Sequence, residues 1–220
     1  MIPPEDLIDP AEALLLGLDY ASVAVFAAAG ALVASRAQLD VVGFIFIACL
    51  TAVGGGTLRD LLLDRQVFWI ADPVMLAVAS IVAVAVFFGA HLLESRYRTL
   101  LWLDACALAV AVPAGVGAAL GDGQAWPVVL VMGMITGCMG GLVRDVVCNE
   151  VPLVLTQGEL YVTAAFAGAG SALLMLLAGA GNGVALAACA AVTLVLRAGS
   201  LAFGWRLPVY RPRPPVVPRR

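Results

Sequence analysis

Thr51-Ala52-Val53-Gly54-Gly55-Gly56-Thr57-Leu58-Arg59-Asp60 closes one apolar stretch, and Thr136-Gly137-Cys138-Met139-Gly140-Gly141-Leu142-Val143-Arg144-Asp145 repeats its pattern 85 positions later. At the same offset Leu18-Asp19 falls on Leu103-Asp104 and Gly30 on Gly115, and 14 of the 46 positions from 15 to 60 are identical without a gap. Shared apolar composition supplies some Ala, Leu and Val matches. It does not supply glycine pairs and charged pairs in register, so the chain contains an internal duplication. Each copy has room for three apolar spans, and an odd number makes the second copy enter a membrane from the opposite side. The expected fold class is therefore an all-α integral membrane protein of seven transmembrane helices, arranged as two inverted three-helix repeats plus a seventh helix.

Composition supports a membrane chain. Hydrophobic residues make up 63% and charged residues 12%, with a mean hydropathy of +1.03, well beyond what a soluble core absorbs. Apolar windows near residues 14–34, 41–63, 73–93, 99–120, 126–148, 159–178 and 183–203 each approach the roughly 20 residues that cross a bilayer. The organisation expected is an acidic external segment over 1–13, repeats over 14–93 and 99–178, the seventh helix over 183–203 and an Arg/Pro-rich cytoplasmic tail over 204–220. The acidic start lacks the basic region of a cleaved signal peptide, so the first span is expected to be retained. Glu5, Asp6, Asp9 and Glu12 open the chain, and Arg206, Arg211, Arg213, Arg219 and Arg220 close it. With Arg36, Arg96 and Arg98 on the same side as the tail, and Arg65 with Arg59 on the other, the positive-inside rule puts the N-terminus outside and the C-terminus in the cytoplasm. No basic patch interleaved with aromatics suggests nucleic acid.

The chemistry concentrates in the duplicated stretch. Glycine costs about 1 kcal/mol more than alanine inside a helix, so Gly54, Gly55 and Gly56, with Gly137, Gly140 and Gly141, are expected to break or bend the second and fifth spans. Close helix packing is the alternative use of such small residues. Thr51 and Thr136, one turn before Gly55 and Gly140, are placed to offer hydroxyls or carbonyls to a pathway. Arg59, Asp60, Arg144 and Asp145 are too costly to face lipid unpaired. Neighbours on a helix point about 100° apart, which predicts pairing across helices, with Asp19 and Asp104 as available partners. For those two aspartates, which stand near span starts, helix capping is the alternative.

Other polar residues carry less. Cys49, Cys106, Cys138, Cys148 and Cys189 are odd in number and lack metal spacing, which predicts buried packing and no metal site. His91 beside Glu94 is expected at a helix end, and Trp69, Trp102, Trp126 and Trp205 near span ends form an aromatic belt. No nucleophile–base pair, H-E-x-x-H or phosphate-binding loop is present, so an enzyme is not expected.

Gly54-Gly55-Gly56-Thr57-Leu58-Arg59-Asp60, Gly140-Gly141-Leu142-Val143-Arg144-Asp145 and Asn149-Glu150-Val151-Pro152-Leu153-Val154-Leu155 together resemble the prokaryotic branch of the trimeric intracellular cation channels, over about residues 14–203. The resemblance implies a homotrimer in the plasma membrane of a bacterium or archaeon. Each protomer would carry a pore for monovalent cations, chiefly potassium, around kinked second and fifth helices, with no cofactor. Animal members bind a phosphoinositide through basic residues near the kink; this chain has no Lys, so phosphoinositide binding is not expected. Bacterial relatives are also labelled as glycine transporter domains, which supplies a rival function, a secondary transporter of a small zwitterion. A purely structural membrane protein is the third possibility and predicts a dry, sealed centre.

Overall fold

The computed structural model describes residues 10–92, 96–156 and 159–208, with only the backbone described for 10–12. Glu5, Asp6, Asp9, the Glu94-Ser95 turn and the tail from Val209 lie outside the described residues. Among the described residues eight α-helices follow one another: α1 (Pro10–Arg36), α2 (Val41–Leu62), the single turn α3 (Phe68–Ala71), α4 (Val74–Gly89), α5 (Arg96–Gly121), α6 (Trp126–Val147), α7 (Val162–Leu177) and α8 (Asn182–Phe203). Six of these are long and apolar enough to cross a membrane, and Val162–Leu177 is a shorter apolar helix. The expected sixth span starts later than residue 159 because Glu159 is held in extended conformation, in an antiparallel bridge with Arg206.

The helices turn where the sequence supplies left-handed backbone, and they do so twice in the same way. Asp64 and Asn149 both adopt positive φ, 55° and 54°, just past the ends of α2 and α6. There the amides of Arg65 and Glu150 reach back to the carbonyls of Asp60 and Asp145 at 2.9 and 2.8 Å, closing each helix with a Schellman-type end. Gln38 and Gly123 repeat the device at the ends of α1 and α5, with φ of 55° and 66°. At the start of α2 the Asp40 carboxylate caps the helix by accepting from the Gly43 amide at 2.8 Å.

Packing follows the same division. One apolar core joins α1, α2 and α4 through Val23, Phe26, Phe44, Ile47 and Met75. A second joins α5, α6 and α7 through Leu108, Val112, Val129, Ala165 and Leu173, and α8 lies against α7 and α5. The two groups meet where α1 packs on α5 and α2 on α6. Small residues make these seams narrow. A side chain on Gly55 would strike the Thr136 carbonyl, and one on Gly140 would strike the Thr51 carbonyl. The contact is reciprocal: each glycine of one group receives the backbone of the other.

The expected break at the glycines is not seen. Helix α2 runs unbroken through Gly54–Gly56, and α6 through Gly137, Gly140 and Gly141. Gly55 and Gly140 instead provide backbone-to-backbone contact at a separation no side chain would fit, while Gly56 and Gly137 make room for side chains of neighbouring elements. Among the cysteines, all free, only Cys138 and Cys189 are fully buried and Cys106 is exposed, contrary to the expectation of uniform burial. His91 is exposed in a turn that extends α4.

Candidate functional site: two buried arginine–aspartate triads

Asp19 stands in the interior of α1 and Asp104 in that of α5, so neither caps a helix. Each instead receives an arginine from the neighbouring helix. Arg59 Nη1 donates to Asp19 Oδ1 at 2.9 Å and Nη2 to Asp19 Oδ2 at 3.3 Å. Arg144 Nη1 donates to Asp104 Oδ1 at 3.0 Å. Cross-helix pairing is thus observed, but the adjacent aspartates also pair, which the angular argument did not anticipate. Arg59 Nε donates to Asp60 Oδ1, and Arg144 Nε to Asp145 Oδ1, both at 2.7 Å. A long arginine in the last turn of a helix can fold back along its own backbone, so Cβ directions do not limit where its guanidinium ends.

The second oxygen of each adjacent aspartate holds the following loop. Asp60 Oδ2 accepts from the Phe68 amide at 2.8 Å, and Asp145 Oδ2 from the Leu153 amide at 2.9 Å. Every bond of the first triad except that from Arg59 Nη2 to Asp19 Oδ2 therefore recurs in the second, 85 positions on. Asp60, Arg59, Asp104, Arg144 and Asp145 are all buried. Charged groups this deep persist because each guanidinium meets two carboxylates.

The two triads differ in what covers them. The first opens into a cavity of about 280 Å³ lined by Asp19, Arg59, Asp60, Arg65 and Asp72 among others, with the Phe68 ring beside Arg59. Across it the Tyr20 hydroxyl donates to Asp72. The second is sealed: the Arg144 and Asp104 side chains have no exposure. Tyr161 closes it, its hydroxyl 3.2 Å from where a Gly141 side chain would begin, with Asp104 and Arg144 at the same place. Asp104 Oδ2, Arg144 Nη2 and the Tyr161 hydroxyl have no hydrogen-bond partner among the described residues.

Thr51 and Thr136 are both buried. Their hydroxyls donate to the Ile47 and Met132 carbonyls of their own helices at 2.6 and 2.7 Å, and they press on Gly30 and Gly115. Gly54 approaches the Gly140 Cα, its side-chain position 3.6 Å away, while Gly56 lies under Phe68 and Gly137 under Leu108 and Val112.

Sequence reasoning missed Arg197, which is fully buried in α8, donates to Glu159 at 2.7 Å and lies 5.0 Å from the centre of the Tyr161 ring. The signal was available: a lone charge inside an apolar span. It went unread because Arg197 has no adjacent aspartate and no counterpart in the duplication.

A family model described as Glycine transporter matches the chain twice, over residues 16–91 and 101–177. The chain is 37% identical over 203 residues to a UPF0126 membrane protein of Vibrio cholerae, covering 90% of this chain and 83% of that one. To the UPF0126 inner membrane protein YadS of Escherichia coli it is 40% identical over 161 residues, covering 70% and 75%. Its fold superposes on a TRIC trimeric intracellular cation channel orthologue from Rhodobacter sphaeroides with a TM-score of 0.84 and 40% identity, over 87% of this chain and 99% of that one. A second solved structure, from work on conductance through TRIC cation channels, gives 0.80 and 28% identity over 90% and 98%. The chain belongs to the family described as Glycine transporter, among the UPF0126 membrane proteins, and shares its fold with the TRIC cation channels.

Proposed function

We propose that this protein is a monovalent-cation channel of the bacterial inner membrane, selective toward potassium, with a pore in each protomer of a homotrimer and no bound cofactor. The single observation that carries this reading is the inequality of the two triads, one facing a cavity lined by Asp19, Asp60, Asp72 and two arginines and the other sealed by Tyr161. A path lined by α2 and α6 would meet both in turn. Asp19 and Asp60 would draw cations while Arg59 and Arg65 limit how firmly they are held. The likeness to solved TRIC channels supports the assignment.

Seven crossings in inverted repeats are part of the proposal. Ion pairs join loops that such a path brings to the same end: Arg36 with Glu150 at 3.1 Å, and Arg65 with Asp122 at 3.4 Å. Helix α7 has 16 residues, about 24 Å at 1.5 Å each. It crosses with help from the buried Leu160 and Tyr161 before it. The arginine count supports an external N-terminus and a cytoplasmic C-terminus.

The test is recording from purified protein in a planar bilayer with potassium and sodium on opposite sides. A reversal potential displaced well away from zero, with the sodium side positive, is expected. The family description favours one rival, a carrier of a small zwitterion. Saturable glycine uptake into proteoliposomes, without unitary currents, would replace the channel reading with that one.

A further inference from the structure

Beyond Phe203 the chain turns back on itself. Gly204 takes a left-handed φ of 69°, which lets the chain leave α8 sharply. The Trp205 ring then lies directly on Gly199, where no side chain would fit. Ser200 joins two segments at once: its hydroxyl donates to the Trp205 carbonyl at 3.0 Å and accepts from the Leu160 amide at 3.2 Å. Arg206 pairs through its backbone with Glu159. Glu159 also holds Arg197, whose guanidinium lies over Tyr161. These contacts form one continuous series from residues 205–206 to the ring that covers Asp104 and Arg144. Among the described residues the first triad has no such strap, and Phe68 beside it borders an open cavity.

We propose that Trp205 and Arg206 form a latch, and that Ser200, Glu159 and Arg197 are positioning residues through which it keeps Tyr161 seated over the second triad. Release of the latch frees the 159–161 stretch and admits water to Asp104 and Arg144, raising the probability that the path is open without altering its conductance once open. The gating half of this statement rests on the channel reading. The mechanical half does not.

Three variants release the latch by different means. Trp205→Ala removes the ring, Gly199→Ala displaces it, and Ser200→Ala deletes both hydrogen bonds while leaving the ring in place. Hydrogen–deuterium exchange of the full-length protein in detergent reads the mechanical half. Each variant is expected to speed exchange at the Leu160 and Tyr161 amides by about tenfold, with the Phe68 amide of the first triad unchanged, and Trp205→Phe is expected to restore protection. Unchanged exchange at 160–161 in Ser200→Ala and Trp205→Ala overturns the latch. Uniformly faster exchange, at Phe68 as well, also overturns it, because the segment would then be a general support of the fold. In bilayers the expected result is a several-fold rise in open probability at constant unitary conductance. Faster exchange with unchanged open probability overturns the gating half. Absence of currents from the wild-type protein, with the exchange result intact, tells against the channel reading and leaves the mechanical latch standing.

Discussion

At the scale of single residues, the two triads make a matched pair of experiments. Arg144→Gln strands Asp104 and Asp145 where neither reaches water, and breaking one side of such a buried group typically costs about 3–5 kcal/mol. Arg59→Gln strands Asp19, whose side chain is 16% exposed at the cavity edge, so hydration offsets part of the loss. We expect Arg144→Gln to lower the thermal midpoint of the purified protein more than Arg59→Gln, and Asp104→Asn to restore part of the loss in the Arg144 variant. Equal midpoints for the two arginine variants would mean that the sealing of the second triad has no energetic weight. The sequence made these partners legible because the duplication put Asp19 and Asp104 in the same register as the arginines. The same comparison could not reach Tyr161, which stands opposite Leu76 in the duplication, or Arg197, which stands outside it. A residue that makes the halves differ is invisible to an argument from their likeness.

At the scale of elements, the decisive object is the crossing of α2 and α6. Periodicity and turn residues placed the helices well, since a run of apolar residues needs only its length to declare a span. Whether glycines bend a helix or let another approach is set by what faces them, and a single strand of sequence does not hold that information. With Gly55 against the Thr136 carbonyl and Gly140 against the Thr51 carbonyl, adding a methyl group forces two backbones apart, a change of the overpacking kind that costs about 1–3 kcal/mol. Gly55→Ala and Gly140→Ala should therefore each lower stability and yield by a similar amount. Gly17→Ala, on an open face of α1 with nothing within 4 Å, should be neutral or slightly stabilising, as helix propensity dictates. Thermal unfolding of the three variants decides the matter. If Gly55→Ala and Gly140→Ala unfold with Gly17→Ala, the glycines are not a packing seam, and a bending role for them returns.

At the scale of the whole molecule, the two ends are chemically distinct, and their orientation determines which side each triad serves. Loop pairing puts Arg65, Gln66, Asp72 and Asp122 at one end with the open cavity, and Arg36, Arg96, Glu150, Glu159 and Arg206 at the other with the sealed triad and the latch. In the proposed orientation the positive-inside rule puts the arginine-rich end in the cytoplasm. Ions arriving from outside would then meet the open cavity first, and the latch would answer to conditions inside the cell. Gln66 and Val151 are exposed and stand at opposite ends, so a cysteine at each reports its side without disturbing the core. The native Cys148 is a poor reporter, because burial pushes its thiol up and reactivity needs the thiolate. A membrane-impermeant maleimide added to intact spheroplasts should label Gln66→Cys above the level of the parent chain, and should label Val151→Cys only after the membrane is opened. The reverse pattern would turn the molecule over, placing the sealed triad outside and making the latch an external one. Labelling of both sites from one side would mean that residues 66 and 151 share a face, which an odd number of crossings between them forbids.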